Sequence, residues 1–262
     1  CSNMASSPWQ RNGGTTAGLG THITGTGGAT DGFDVTATNN PSMFGFDHAT
    51  GQWAALTSTN GVGDVLTAGT PYRLMIRGDR TTDLTTNTPT ATATTLGATG
   101  SLKTGDVSQT LNQTAEAYSF IGNPYQAPID MEAVLAGATN MNADVLYYWD
   151  PTLNTRGSYV ARTLSATTNN VTSDFTEILQ PGQAVFVKSS AANPTMTITE
   201  SHKRVSQGTA GVFRNATTTT NVGLLRANLQ ANINNQWQTT DAALALFNDS
   251  YSWNVSQEDA SK

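Results

Sequence analysis

Apolar and polar positions alternate along this chain over short stretches. Glycine, proline, asparagine and aspartate break the pattern again and again, as expected for strands joined by turns. Ser42 to Phe46 and Ala143 to Trp149 read as aromatic-rich strands. Each runs into an aspartate-led turn, Asp47-His-Ala-Thr-Gly51 and Asp150-Pro-Thr-Leu-Asn154. An aspartate there accepts a hydrogen bond from the backbone N–H two residues on, and Gly or Asn tolerates positive φ. Gln52 to Leu56 and Ser158 to Leu164 return as the hairpin partners. Tyr72 to Arg77, Thr92 to Leu102, Ala184 to Lys188, Thr195 to Glu200, Leu224 to Gln230 and Asp241 to Phe247 are further expected strands. One short helix is predicted over Pro128 to Ala138, with Asp130 in its first turn and Gly137 near its stop. Arg11 to Asp31, Thr81 to Thr90 and Thr217 to Asn221 read as polar loops.

The pattern occurs twice. Met4-Ala-Ser-Ser-Pro8-Trp9-Gln10 returns as Phe120-Ile-Gly-Asn-Pro124-Tyr125-Gln126. Phe44-Gly-Phe-Asp47 followed by Trp53 returns as Tyr148-Trp149-Asp150 followed by Tyr159, and Leu66-Thr-Ala-Gly69 returns as Leu179-Gln-Pro-Gly182. The offsets are 116, 103 and 113 residues, so loop lengths differ while the order holds. Such a repeat implies tandem copies of one unit, each about the size of a small β-sandwich. The expected fold is all-β, with two tandem β-sandwich-like units and a short C-terminal strand segment. Residues 1–116 form the first unit and 117–213 the second. Residues 214–262 supply a linker and strands that pack on the second unit or lead to a following domain.

Composition narrows the class. Only 12% of residues are charged, 37% are apolar, and the formal net charge is −6. Threonine is about one residue in six, which suits pleated strands and hydrated loops without charge. A helical bundle needs a Glu/Lys/Arg-rich surface that this chain lacks. The twenty aromatics argue against disorder, and the acidic balance argues against nucleic acid as partner. The lone Cys1 excludes an intrachain disulfide, and no apolar run reaches the ~20 residues of a membrane span. Cys1 fits either the lipidated residue of a lipoprotein or the start of a fragment. The motif beginning at Met4 leaves no spacer for an anchor.

Candidate chemistry is sparse. Asp47 and Asp150 have the residue type for paired acid–base catalysis, but their equivalence in two repeats is explained at once by a turn role. Pro8, Pro124, Gly69 and Gly182 belong to the same structural motif. Asp31 with Asp34, and Asp79 with Asp83, offer oxygen ligands for calcium without matching a known calcium loop; no other cofactor is implied. His22, His48 and His202 are not at metal-ligand spacings. The glycine tract Gly13 to Gly28 contains no phosphate-binding motif, and no GxSxG elbow occurs. Trp9, Trp53, Trp149 and Trp237, with Trp253, have the chemistry of a sugar-stacking platform. Five sequons, at Asn112, Asn170, Asn215, Asn248 and Asn254, arise readily in a chain so rich in Asn and Thr.

Phe120-Ile-Gly-Asn-Pro-Tyr-Gln-Ala-Pro-Ile-Asp130, Leu146-Tyr-Tyr-Trp-Asp-Pro151, Gly157-Ser-Tyr159 and Gln180-Pro-Gly-Gln-Ala-Val-Phe-Val-Lys188 come in that order. With Ser6-Ser-Pro-Trp9, Ala68-Gly69 and Arg77-Gly-Asp-Arg80 upstream, they resemble the β-rich segment near the C-terminal end of large Bacteroidota surface proteins. Many of these are type IX secretion substrates, gliding-motility adhesins among them. The resemblance implies a non-catalytic structural and adhesive module of an extracellular, cell-surface protein. Its partners would be other domains of the same protein, the secretion or outer-membrane attachment machinery, and surface glycans. The C-terminal sorting domain usual in such proteins would follow Lys262. A carbohydrate-binding module attached to an extracellular enzyme is the alternative. A third reading is an enzyme fragment using acids near the Asp47 or Asp150 turns.

Overall fold

The computed structural model describes residues 9–10, 17–60, 67–86, 92–97, 101–154, 157–205, 223–233 and 236–247, the last two ranges as backbone. The strands are β1 (Met43–Asp47), β2 (Gln52–Ala55), β3 (Arg73–Leu74), β4 (Val107–Ser108), β5 (Tyr118–Gly122) and β6 (Ile129–Asp130). After the helix α1 (Met131–Ala136) come β7 (Val145–Asp150), β8 (Ser158–Thr163), β9 (Thr168–Asn169), β10 (Ile178–Leu179), β11 (Ala184–Lys188) and β12 (Thr197–Ile198). β13 (Gly223–Ile233) and β14 (Gln236–Phe247) close the series. The fold is all-β, and its paired strands are antiparallel. No helix among the described residues is long and apolar enough to cross a membrane.

The chain divides into two compact units, Cys1–Phe213 and Arg214–Lys262. The repeats expected on either side of residue 116 both lie in the first. There, one sheet has the order β2-β1-β3 and another the order β5-β11-β7-β8-β9. The run β8-β7-β11 copies β2-β1-β3 in order and in antiparallel sense. Register repeats as well. Phe46 faces Trp53 and Asp47 faces Gln52 in the first hairpin; Trp149 faces Tyr159 and Asp150 faces Ser158 in the second. The second unit is described as one long antiparallel hairpin, β13 with β14, bulged at Leu229/Gln230.

Several strands differ from expectation. Thr92 to Leu102 is not a strand over its described residues. Thr95 makes a single parallel bridge to Leu19. The Thr94 hydroxyl donates to the Gly20 carbonyl, and the Thr92 hydroxyl accepts from the Asp79 N–H. These side chains bond the backbone of other segments, which competes with a ladder. Tyr72 to Arg77 shortens to β3. Thr195 to Glu200 shortens to β12 because a 3-10 turn, Glu200–His202, follows with Thr199 and His202 in a capping box. β5 was not expected as a strand. Four of its five residues are buried in succession, so it shows no alternation to read. The helix is shorter than predicted: Asp130 is its N-cap and accepts from Glu132 N and Ala133 N.

The main core lies behind the five-stranded sheet. It gathers Ile121, Leu146, Tyr148, Val160, Val185 and Val187 from the strands with Met131, Val134 and Leu135 from α1. The N-terminal core is much smaller: Ile23, Phe33 and Met43, flanked by Trp9, Leu56, Tyr72 and Leu74. Beside it lies a buried polar network. Asp34 receives both arms of the Arg80 guanidinium at 2.8 Å, the Ile23 N–H at 2.9 Å and the Gln10 amide at 3.1 Å.

Candidate functional site

The turns come first because they aim the strands. Asp47 Oδ1 accepts from Ala49 N at 2.9 Å, and Oδ2 from the Thr50 hydroxyl at 2.6 Å. Asp150 Oδ1 accepts from Thr152 N at 2.8 Å and from its hydroxyl at 2.6 Å, while Oδ2 takes the Ser173 hydroxyl. Hydrogen bonds to the charged form hold the Asp47 carboxyl below the ordinary value, the Thr50 hydroxyl most of all. At Asp150 burial pushes upward, but the Ser173 and Thr152 donors outweigh it. Neither pulls toward the raised value of a general acid.

The five-stranded sheet separates two kinds of side chain by its pleat. Leu146, Tyr148, Asp150, Val160, Val185 and Val187 are buried on one side. Tyr118, Phe120, Tyr147, Trp149, Tyr159 and Phe186 alternate with these onto the other. The first hairpin packs on part of that aromatic face. Phe46 sits edge-on to Phe186 at 5.1 Å, and Trp53 edge-on to Phe120 at 5.2 Å. Edge-to-face pairs at such distances are favourable beyond simple area burial. The remainder stays open: Trp149 is 47% exposed and Tyr159 43% exposed. These two rings meet edge-on across β7 and β8 at 4.9 Å, as Phe46 and Trp53 meet across β1 and β2 at 5.3 Å.

A cleft of about 160 Å³ forms where the covered and open parts of this face meet. Trp53, Phe120, Trp149, Tyr159 and Phe186 supply its aromatic walls, and Arg73 its one formal charge. The Arg73 guanidinium lies 4.5 Å from the Trp53 ring centre and 4.6 Å from that of Phe44. Behind Trp149, Gly157 holds φ near +89°, and a Cβ there would fall 2.7 Å from the indole. Glycine is thus required twice over, by the backbone and by the ring. Burial raises the Tyr159 phenol, and the positive charge of Arg73 pulls the other way. The lining residues include no acid, histidine, cysteine or serine. This surface can stack apolar ring faces and hold an anion; it offers no nucleophile with a base.

No family model, curated protein or solved structure matches the chain.

The other residues singled out from the sequence are dispersed. Trp9 is half-buried, packs against the small N-terminal core and meets Tyr72 edge-on at 6.1 Å. Trp237 belongs to β14, opposite Asn232 in the backbone register. Pro8, Cys1 and Trp253, and with Trp237 its side chain, lie outside the described residues. Gly69 has φ near +87° and Gly182 near +77°. A Cβ on Gly69 would lie 3.2 Å from Pro124, so the turn of one repeat abuts the proline of the other.

Of the four candidate calcium acids, Asp34, Asp79 and Asp83 are already engaged. Burial pushes the Asp34 carboxyl up, but His22, Arg80, Gln10 and Ile23 more than reverse this and hold it well below the usual range. The Asp79 carboxyl is lowered to about 2 by the Thr81 hydroxyl, the Gly18 N–H and the Thr81 N–H. Asp83 accepts from Thr85. Among the described residues, no three His, Cys, Asp or Glu side chains are grouped to hold a metal ion. His48 donates from Nε2 to the Phe120 carbonyl at 2.9 Å. The Nδ1 of His22 stands 3.5 Å from Asp34 Oδ1.

Trp53 and Trp149 stand out in the sequence by residue type, whereas Arg73, Tyr118, Tyr147, Phe186 and the aromatic role of Tyr159 do not. For Tyr147 the signal was present: in Leu146-Tyr-Tyr-Trp-Asp150, Tyr147 and Trp149 share one parity and the buried residues the other. Arg73 carried no such signal, because only the approach of the first hairpin to the second sheet brings it to the cleft.

Proposed function

We propose that this chain is a non-catalytic structural and adhesive module of a large secreted bacterial surface protein, exported by the type IX secretion system. The observation that carries the reading is the open aromatic face at Trp149 and Tyr159, next to a cleft without paired carboxylates. Asp47 and Asp150, the acids of the enzymatic reading, spend their oxygens on turn donors and, at Asp150, on the Ser173 hydroxyl. The threonine-rich surface is hydrated with little charge, which suits a segment displayed outside the cell. The face contacts surface glycans, and the rest of the module joins neighbouring domains of the same protein.

The exposed Trp149–Tyr159 pair also favours the second reading, a carbohydrate-binding module beside an extracellular enzyme. An antibody against the purified chain tests location. Intact cells of the source bacterium should be labelled, and mild external protease should remove the label. Labelling only after lysis overturns the surface reading. Flanking sequence that encodes a catalytic domain favours the second.

A further inference from the structure

We propose that the cleft binds a carboxylated sugar chain. Arg73 takes the carboxylate, and the Trp149–Tyr159 pair takes the apolar face of the adjoining ring. This rests on the adhesive reading above and names the class of glycan.

Three features of the molecule converge. The first is the state of the cations. Arg80, Arg162, Lys188, Lys203 and Arg204 each hold a carboxylate. Arg77, Lys103 and Arg73 hold none among the described residues; of these three only Arg73, which is exposed, lines the cleft. Its planar guanidinium is instead supported by the Phe44 and Trp53 rings. A guanidinium fixed in that way presents a preorganised fork of donors that matches a carboxylate. The second is the lining. It places one positive charge against aromatic rings and no acid, so an anion meets complementary charge even though the whole chain is acidic.

The third is strand pairing. Trp149 and Tyr159 stand on β7 and β8, which are interior strands of their sheet. The two residues face each other across the β7–β8 ladder and show their rings on the face of the sheet rather than at an edge, where a ligand meets side chains and not strand backbone. What remains is side-chain surface: ring faces and edges suited to the C–H face of a sugar. A volume of about 160 Å³ is below the roughly 300 Å³ at which enclosed drug-sized pockets begin. That is the scale of a sugar ring laid on an open surface.

The test uses the full 262-residue chain. Oligogalacturonate, oligomannuronate and oligoglucuronate are titrated by calorimetry and tryptophan fluorescence, each beside its methyl ester. Esterification removes the charge and leaves the rings. At least one acid form should bind, with its ester about tenfold weaker, as for loss of one charge-assisted hydrogen bond. Arg73→Gln should erase the difference between acid and ester, and Arg73→Lys should retain part of it. Trp149→Ala should weaken acid and ester alike, by about tenfold. Unchanged circular dichroism and melting temperature establish that each variant is folded.

An ester that binds as well as its acid overturns the charge selection while leaving glycan adhesion standing. Poly-glutamate that binds as well as the uronates, without dependence on Trp149, overturns the sugar in favour of an acidic peptide. Failure of every saccharide overturns both this inference and the glycan part of the proposed function. Surface labelling of cells is independent of all three results.

Discussion

The two hairpin regions of the first compact unit share a plan but not a filling. β2-β1-β3 and β8-β7-β11 have the same order, an aspartate at the same register and an aromatic cross-strand pair just before it. Behind the second lies a large aliphatic core with Ile121, Leu146, Val160, Val185 and Val187. Behind the first, the buried apolar side chains among the described residues are Ile23, Phe33 and Met43, beside the Asp34–Arg80–Gln10 network. An aspartate turn and a cross-strand aromatic pair are enough to fix the hairpin and its register. What packs behind it can then be apolar or polar. This is how a chain only 37% apolar builds the same arrangement twice.

Removing the polar filling should have the largest effect. Asp34→Ala strips the carboxylate from Arg80, whose side chain is 7% exposed. Removing one partner of a buried ion pair costs about 3–5 kcal/mol, so urea unfolding should show a loss of that size. Hydrogen exchange should place it near Ile23 and Phe33 before it reaches Val185. Leu146→Ala removes apolar filling instead. A fully buried leucine truncated in a packed core costs about 3 kcal/mol, and the loss should show in the amides of β7, β8 and β11. If both variants open the same amides at the same urea concentration, the two fillings are one cooperative core and the contrast fails.

Acid should separate the regions next. The Asp34 and Asp79 carboxyls are held below the unfolded value of about 3.8. A depressed folded pKa adds stability that is fully present above the unfolded pKa and is lost as pH falls through the folded one. Stability should therefore decline from about pH 4 toward pH 2, the lower value set by Asp79. Intrinsic-rate-corrected exchange should rise first at Gly18 and Ile23, whose N–H groups bind these two acids. Equal loss at Val185 and Val187 would contradict the assignment.

Much of the frame was legible, and the reasons are local. Asp47 and Asp150 signal turns through their own side-chain chemistry, and Ala184 to Lys188 is a strand with the bounds read from its apolar run. Asp130 and Gly137 flank the helix from within the expected stretch. What was hidden depends on contacts distant in sequence. β5 is buried on both faces and so has no period to detect. The threonines at 92–95 look like a strand in isolation, but their hydroxyls bond other segments. The cleft was half legible: Trp53 and Trp149 stand out by residue type, whereas Arg73 joins them only through the meeting of two sheets.

The smallest effect tests whether the shared turn matters equally in both copies. Asp150 has buried surroundings, and its second oxygen holds Ser173 at 2.5 Å. Asp150→Ala leaves Thr152 N and Ser173 without that acceptor, for a loss of about 1–3 kcal/mol. Asp47 makes the same kind of turn in solvent, where water replaces the carboxylate once it is removed. Asp47→Ala should therefore shift the urea midpoint less than Asp150→Ala, with no change in slope. Equal shifts would mean that the turn itself, rather than its burial, sets the contribution. The second hairpin would then owe its rigidity to sequence alone, and the filling behind each sheet would matter less than the contrast between them implies.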